Sequence, residues 1–286
     1  MHFAPLPPQT PIYPEEAAEY ARTTLARSEA ALLQCDLIAH QSYGSDYWQS
    51  VDIYRPRQAP EGGAPVLVFA HGGAWTNGYK EWMGLMAPAL TNAGIAFVSV
   101  SYRLAPTHKW QAILDDCMDA VAWVVRNIGQ YGGNPGCIAL GGHSAGGHLM
   151  ALAALSTDRL LERGIPLQSI VACLPLCAPM DIRYPDAQAG SGEERTHQMI
   201  LNDVSEAEAA SPICHVKQGS PFMLLAHARE DLPRIIASNR AMAAELDRHR
   251  APHETMLLEG DHFSSALAVG DEGSVWTDRV IRLLRA

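Results

Sequence analysis

The chain has 286 residues, 48% of them hydrophobic and 18% charged, a balance that fits one packed globular domain and excludes a disordered, collagen-like or coiled-coil chain. Its 21 Lys+Arg against 31 Asp+Glu leave a formal net charge of −10, which repels nucleic acid and anionic membrane surfaces, and the sequence holds no basic patch to offset it. No apolar run reaches the roughly 18–20 residues of a transmembrane helix, and residues 1–8 lack the basic and apolar regions of a secretory signal, so a cytoplasmic protein without membrane attachment is expected.

Residues 1–14 carry Pro5, Pro7, Pro8, Pro11 and Pro14, which suits an extended arm lying on a surface. Pro14 and the acids after it open a run to about residue 33 with helical apolar spacing. Residues 37–43 and 50–54 then read as strands joined by Gly44-Ser45-Asp46, an antiparallel lead-in. Short continuous apolar runs follow at 66–70, 96–100, 137–140, 170–176, 222–226 and 255–258. Between and after them lie helical patterns at about 83–93, 111–128, 145–155, 234–249 and 275–284. That alternation predicts an α/β fold with a buried, mostly parallel sheet of about eight strands flanked by helices and preceded by an N-terminal helical arm. We read 1–286 as a single domain, with 1–45 as arm and helix. The polar stretch at about 184–212 is an insertion that serves as a lid or a surface excursion. The arm and the insertion have two open roles, covering a pocket or making a homodimer contact.

The chemistry concentrates at three places. Gly142-His143-Ser144-Ala145-Gly146 fits G-x-S-x-G between an apolar run and a helix. The pattern alone is weak, but a serine on a tight strand-to-helix turn projects its Oγ clear of the sheet, and the flanking glycines relieve crowding around it. His71-Gly72-Gly73-Ala74-Trp75 follows another apolar run. There the amides of Gly73 and Ala74, with that of Ala145, could converge on a developing oxyanion. A serine nucleophile needs a base and the base needs an orienter. His262, in Gly260-Asp261-His262-Phe263, lies just past an apolar run and is the base candidate; Asp231, past the run at 222–226, is the acid candidate, with Glu230 and Asp261 as rivals and Asp181 behind them. His71, His148 and His227 read as loop-holding histidines. Trp75, Tyr79 and Trp82 are candidates to wall an apolar substrate pocket, and core packing is an equal reading for them. No histidine or cysteine cluster has metal spacing, so neither metal nor cofactor is expected. The six cysteines (Cys35, Cys117, Cys137, Cys173, Cys177, Cys214) read as reduced and buried, with metal binding the minor alternative.

HGGAW at 71–75, SYRLAP at 101–106, GGHSAGGHL at 141–149 and GDHF at 260–263 together resemble the α/β-hydrolase superfamily over nearly the whole chain, in the branch of hormone-sensitive-lipase-like carboxylesterases and kynurenine formamidases. SYRLAP is similar to the esterases, whereas HGGAW in place of HGGG, with DHF, looks more like the formamidases. The order Ser144, Asp231, His262 matches the nucleophile, acid and base order of that superfamily. The resemblance implies those roles for the three, and oxyanion donors at Gly73, Ala74 and Ala145. The expected activity is serine hydrolysis of small to medium carboxylic esters through an acyl-enzyme, the partner being a small-molecule ester or amide. Two alternatives stay open: an arylformamidase acting on N-formylkynurenine, and a non-catalytic small-molecule-binding homologue.

Overall fold

The computed structural model describes residues 2–12 and 14–286. The first helix, α1 (Glu15–Ala31), starts behind Pro14 with Glu15 and Glu16 in its first turn, where acids favour the helix dipole. The lead-in follows as β1 (Asp36–Ser42) and β2 (Ser50–Arg55), paired antiparallel with a bulge after Ile38. Then come β3 (Ala64–Ala70), a 3-10 segment Lys80–Met86 running into α2 (Ala87–Asn92), β4 (Ala96–Val100) and α3 (Trp110–Asn127). The centre of the chain supplies β5 (Gly133–His143), α4 (Ala145–Leu155), α5 (Thr157–Glu162) and β6 (Ile170–Leu176). After α6 (Gly192–Ile200) the fold closes with β7 (Met223–Glu230), α7 (Pro233–Arg248), β8 (His253–Asp261), α8 (Ser264–Ala268) and α9 (Val275–Arg285).

The eight strands form one sheet in the order β1-β2-β4-β3-β5-β6-β7-β8. Strand β2 is antiparallel to both its neighbours, and the strands from β4 to β8 run parallel. The apolar runs are continuous because both faces are covered. Val66, Val68 and Ala70 face one core with α3, α4 and α7, while Leu67 and Phe69 face a second core with α1, α2 and α9. Helix α4 is buried along its whole length, which accounts for the nearly polar-free AGGHLMALAAL. From β3 the chain steps to β4 on one side and then to β5 on the other, so the crevice beyond the carboxyl ends of β3 and β5 is where the winding reverses. HGGAW and GHSAG both leave the sheet there.

One reading of the sequence needs correction. The cysteines carry no disulfide, but only Cys117, Cys173 and Cys177 are buried; Cys35 and Cys137 are half-buried and Cys214 is exposed. The end of the 1–45 stretch, residues 36–42, is the first strand of the sheet, within one residue of the strand read at 37–43. Among the described residues no helix is long and apolar enough to cross a membrane.

Candidate active site

Ser144 sits between β5 and α4 with φ +51°, a left-handed conformation strained for a residue with a Cβ. The turn closes only because its glycines are bare. A Cβ on Gly142 would lie 2.3 Å from the Gly146 carbonyl carbon, and one on Gly146 2.2 Å from the Ala70 carbonyl oxygen. The Ser144 Oγ stands 3.0 Å from His262 Nε2, and His262 Nδ1 stands 2.8 Å from Asp231 Oδ1. Three loops, after β5, β7 and β8, thus bring together the three residues singled out from the sequence.

Asp231 is buried, and burial by itself would raise its pKa; the hydrogen bond and charge of His262, with the Leu232 amide donating at 2.7 Å, hold it below the usual carboxylate value. The rival carboxylates are engaged elsewhere. Asp261 accepts from the amides of Phe263 (3.0 Å) and Ser264 (2.8 Å) and so shapes the turn that carries His262. Glu230 is exposed, and Asp181 pairs with Arg183 at 2.6 Å. The Cys177 thiol lies beside Asp231 and His262, the potential ligand atoms within 4.8 Å of one another. Burial and the neighbouring Asp231 push the pKa of this thiol well up.

The loop after β3 folds back over Ser144. Gly73 (φ +119°) lies so close to the Asn77 carbonyl that a Cβ would meet its oxygen at 2.1 Å, and Ala74 also adopts a left-handed φ of +53°. Among the described residues nothing accepts from the Gly73 or Ala74 amides. Ala145 opens α4, so its N–H belongs to the first turn that a helix leaves without internal acceptors. His71 does hold the loop: its ring stacks on Tyr102 at 4.3 Å, Nδ1 donates to the Gly72 carbonyl at 2.7 Å, and burial pushes its pKa down to about 4. His148 ties α4 to the Ala210 carbonyl at 2.8 Å, and His227 donates to the Ala228 carbonyl at 2.9 Å.

A cavity of about 360 Å³ opens above Ser144. Trp75 and Trp82 line it; Tyr79 does not. Its hydroxyl donates to the Pro7 carbonyl at 2.5 Å and its ring packs 5.6 Å from Trp48, so the arm, rather than the pocket, occupies it. The arm also latches the loop above Ser144 through paired Gln9–Gly78 bonds of 2.7 and 2.8 Å and an Asn77 bond to the Thr10 carbonyl at 2.9 Å. Pro11, Ile12 and Pro14 then form part of the cavity wall, and Tyr184, Arg195 and Met199 of the 184–212 excursion form another part.

Sequence reasoning missed Tyr20 and His143. His143 Nε2 lies 3.1 Å from the His262 carbonyl, which can only accept, so Nε2 carries the proton. Nδ1 is then an acceptor for the Tyr20 hydroxyl of α1, 3.2 Å away. Burial, and then the neighbouring His262, push the His143 pKa down to about 3, so the ring is neutral and this donor order is fixed. No local signal marks the pair, whose members are 123 residues apart.

The family described as BD-FAE matches residues 51–245. The esterase LipC of Mycobacterium tuberculosis is 31% identical over 246 residues, 76% of this chain; the chain spans 60% of LipC's length. Two solved structures share the fold over nearly the whole molecule. Esterase B from Lactobacillus rhamnosis has a TM-score of 0.76 at 20% identity, covering 94% of each chain. The metagenomic carboxylesterase EstE1 has a TM-score of 0.75 at 19% identity, covering 95% of this chain and 97% of its own.

Proposed function

The chain belongs to the BD-FAE family, within the α/β-hydrolase fold, and from that premise we propose that it is a serine hydrolase of small to medium carboxylic esters. The observation that carries this reading is the line of hydrogen bonds from Ser144 Oγ through His262 to Asp231, at 3.0 and 2.8 Å, on the floor of the cavity. His262 Nε2 takes the Oγ proton as Ser144 attacks the substrate carbonyl, and Asp231 holds the imidazole in the working tautomer and steadies the positive ring that forms. Charge developing on the carbonyl oxygen is received by the Gly73, Ala74 and Ala145 amides. His262 returns its proton to the departing alcohol, leaving an acyl-serine. Water, deprotonated by the same ring, then releases the acid and frees Ser144.

An aryl or short acyl ester suits the apolar wall made by Trp75 and Trp82. The test is kcat/KM on p-nitrophenyl acetate and N-formyl-L-kynurenine side by side, with Ser144→Ala as the blank. Ester turnover that Ser144→Ala abolishes is the expected result. A large preference for the formamide would move the assignment to arylformamidase, and turnover retained in Ser144→Ala would remove the nucleophile.

A further inference from the structure

The cavity above Ser144 has an ionic lining opposite in sign to the molecule as a whole. The chain carries a net charge of −10, yet among the described residues the cavity wall includes Arg195 and Arg234 and no aspartate or glutamate. The two come from separate elements: Arg195 lies on α6 within the 184–212 excursion, and Arg234 lies in the first turn of α7, three residues beyond Asp231. Helix stability does not explain Arg234, because a cation in a first turn faces the positive end of the helix dipole. The helix has no acid in that turn and no side-chain cap from Leu232 to compensate.

Arg234 makes a loose ion pair with Glu193 at 3.7 Å, beyond hydrogen-bond reach, whereas among the described residues no ion pair engages Arg195. The Arg234 guanidinium lies along the bare backbone of Gly192, where a Cβ would approach it to 3.4 Å. It is half-buried, whereas Arg195 is exposed at the rim. A guanidinium stays charged at any working pH and presents a planar fork of donors that matches a carboxylate. Two such groups on one partly enclosed wall, with the one paired acid, Glu193, outside the lining, concentrate anions there against the repulsion of the rest of the surface.

We propose that the substrate carries a carboxylate at the end remote from the scissile carbonyl, and that Arg195 and Arg234 receive it. This rests on the ester-hydrolase reading and adds the substrate class. The carboxylate belongs either to the acyl part or to the alcohol part, and matched esters separate the two. On the acyl side, mono-4-nitrophenyl adipate is compared with its neutral methyl ester; on the alcohol side, 4-butyryloxybenzoate is compared with its methyl ester. Each pair is run with the full chain, Arg195→Gln, Arg234→Gln and the double variant, at low and high salt.

In one of the pairs the anionic member is expected to have a kcat/KM about tenfold higher, mainly through KM, since an interaction with a remote group acts on binding. The ratio should fall several-fold in each single variant and approach one in the double variant and at high salt, because exposed charges are screened. The salt dependence of the unmodified chain carries the test even if a variant folds poorly. No anionic preference in either pair, or a preference that survives both substitutions, overturns the proposal and leaves the hydrolase reading standing. Absence of turnover above the Ser144→Ala background for every ester overturns the hydrolase reading itself, and the carboxylate site with it.

Discussion

Replacing Tyr20 with Phe removes one oxygen from α1 and tests whether the N-terminal helix positions the candidate base. The Tyr20 ring is buried against Phe263 (centroids 5.2 Å apart) and Trp82 (6.1 Å), contacts that Phe retains. What is lost is the hydroxyl bond to His143 Nδ1 at 3.2 Å, leaving a buried acceptor without a donor. An unsatisfied buried acceptor costs about 1–3 kcal/mol, equivalent to a fall in Tm of about 2–5 °C for a chain of this size. The loss also loosens the ring whose Nε2 donates to the His262 carbonyl. Small misplacements of a base are felt in the chemical step, so kcat should fall about two- to tenfold with KM unchanged. Thermal melts by circular dichroism and steady-state ester kinetics read the two effects. A Tyr20→Phe protein with unchanged Tm and unchanged kcat would refute the argument that this hydroxyl holds the base in place.

Asp231→Asn should lower kcat by about 10⁴, because an amide favours the wrong histidine tautomer. Asp261→Asn, which touches only the turn carrying His262, should cost far less; the reverse ranking in steady-state kinetics would assign the acid to Asp261. Deleting residues 2–10 removes the bonds from Pro7, Gln9 and Thr10 to the loop above Ser144, and should lower kcat/KM. Unchanged kinetics would count against the latch. Acid should destabilise the fold. Burial holds His71, His143 and His148 near pKa values of about 4, 3 and 4, so below about 6.5 the unfolded chain takes up protons that the native one refuses. Their contribution is therefore lost as pH falls. Asp52 opposes them: burial raises its pKa to about 6, so its native form gains stability on protonation, one proton against three. The net loss between pH 7 and 5 is a few kcal/mol, which urea unfolding at the two pH values measures; equal midpoints would contradict the balance.

The sheet was legible wherever burial on both faces wrote a continuous apolar run. Strands β4 and β6 and helix α4 lie where the apolar pattern put them. Strand β5 begins earlier than its apolar run because Gly133 pairs with Ala64, and backbone pairing through Gly-Asn-Pro-Gly leaves no hydrophobic trace. The helix read at 83–93 divides into a 3-10 segment and α2. Its residues 80–86 are buried on every side, and Gly84 there sits close to the Tyr54 hydroxyl and Ser28, so the apolar spacing carries no helical phase. Helix α6 was missed for its polarity, although Ser191 and Glu194 announce it: the Ser191 Oγ accepts from the Glu194 amide at 3.1 Å. The Ser144, Asp231 and His262 positions could be read because each follows an apolar run that places it at a strand's carboxyl end. Tyr20, His143 and the two arginines could not, since their meaning lies in contacts between elements distant in sequence. Tyr79 follows HGGAW as closely as Trp75 and Trp82 do, which makes it an equal candidate for pocket or core, and nothing local foretells the arm's claim on it.

The most direct test of the account is whether Ser144 becomes covalently modified. The full chain, treated with a fluorophosphonate and digested, should yield one adduct on the peptide containing Ser144, with loss of ester turnover in proportion to labelling. His262→Ala should label far more slowly, since the serine would lose its base. Labelling at another residue, or none in folded protein with an intact melting transition, would contradict the assignment of Ser144 as the nucleophile.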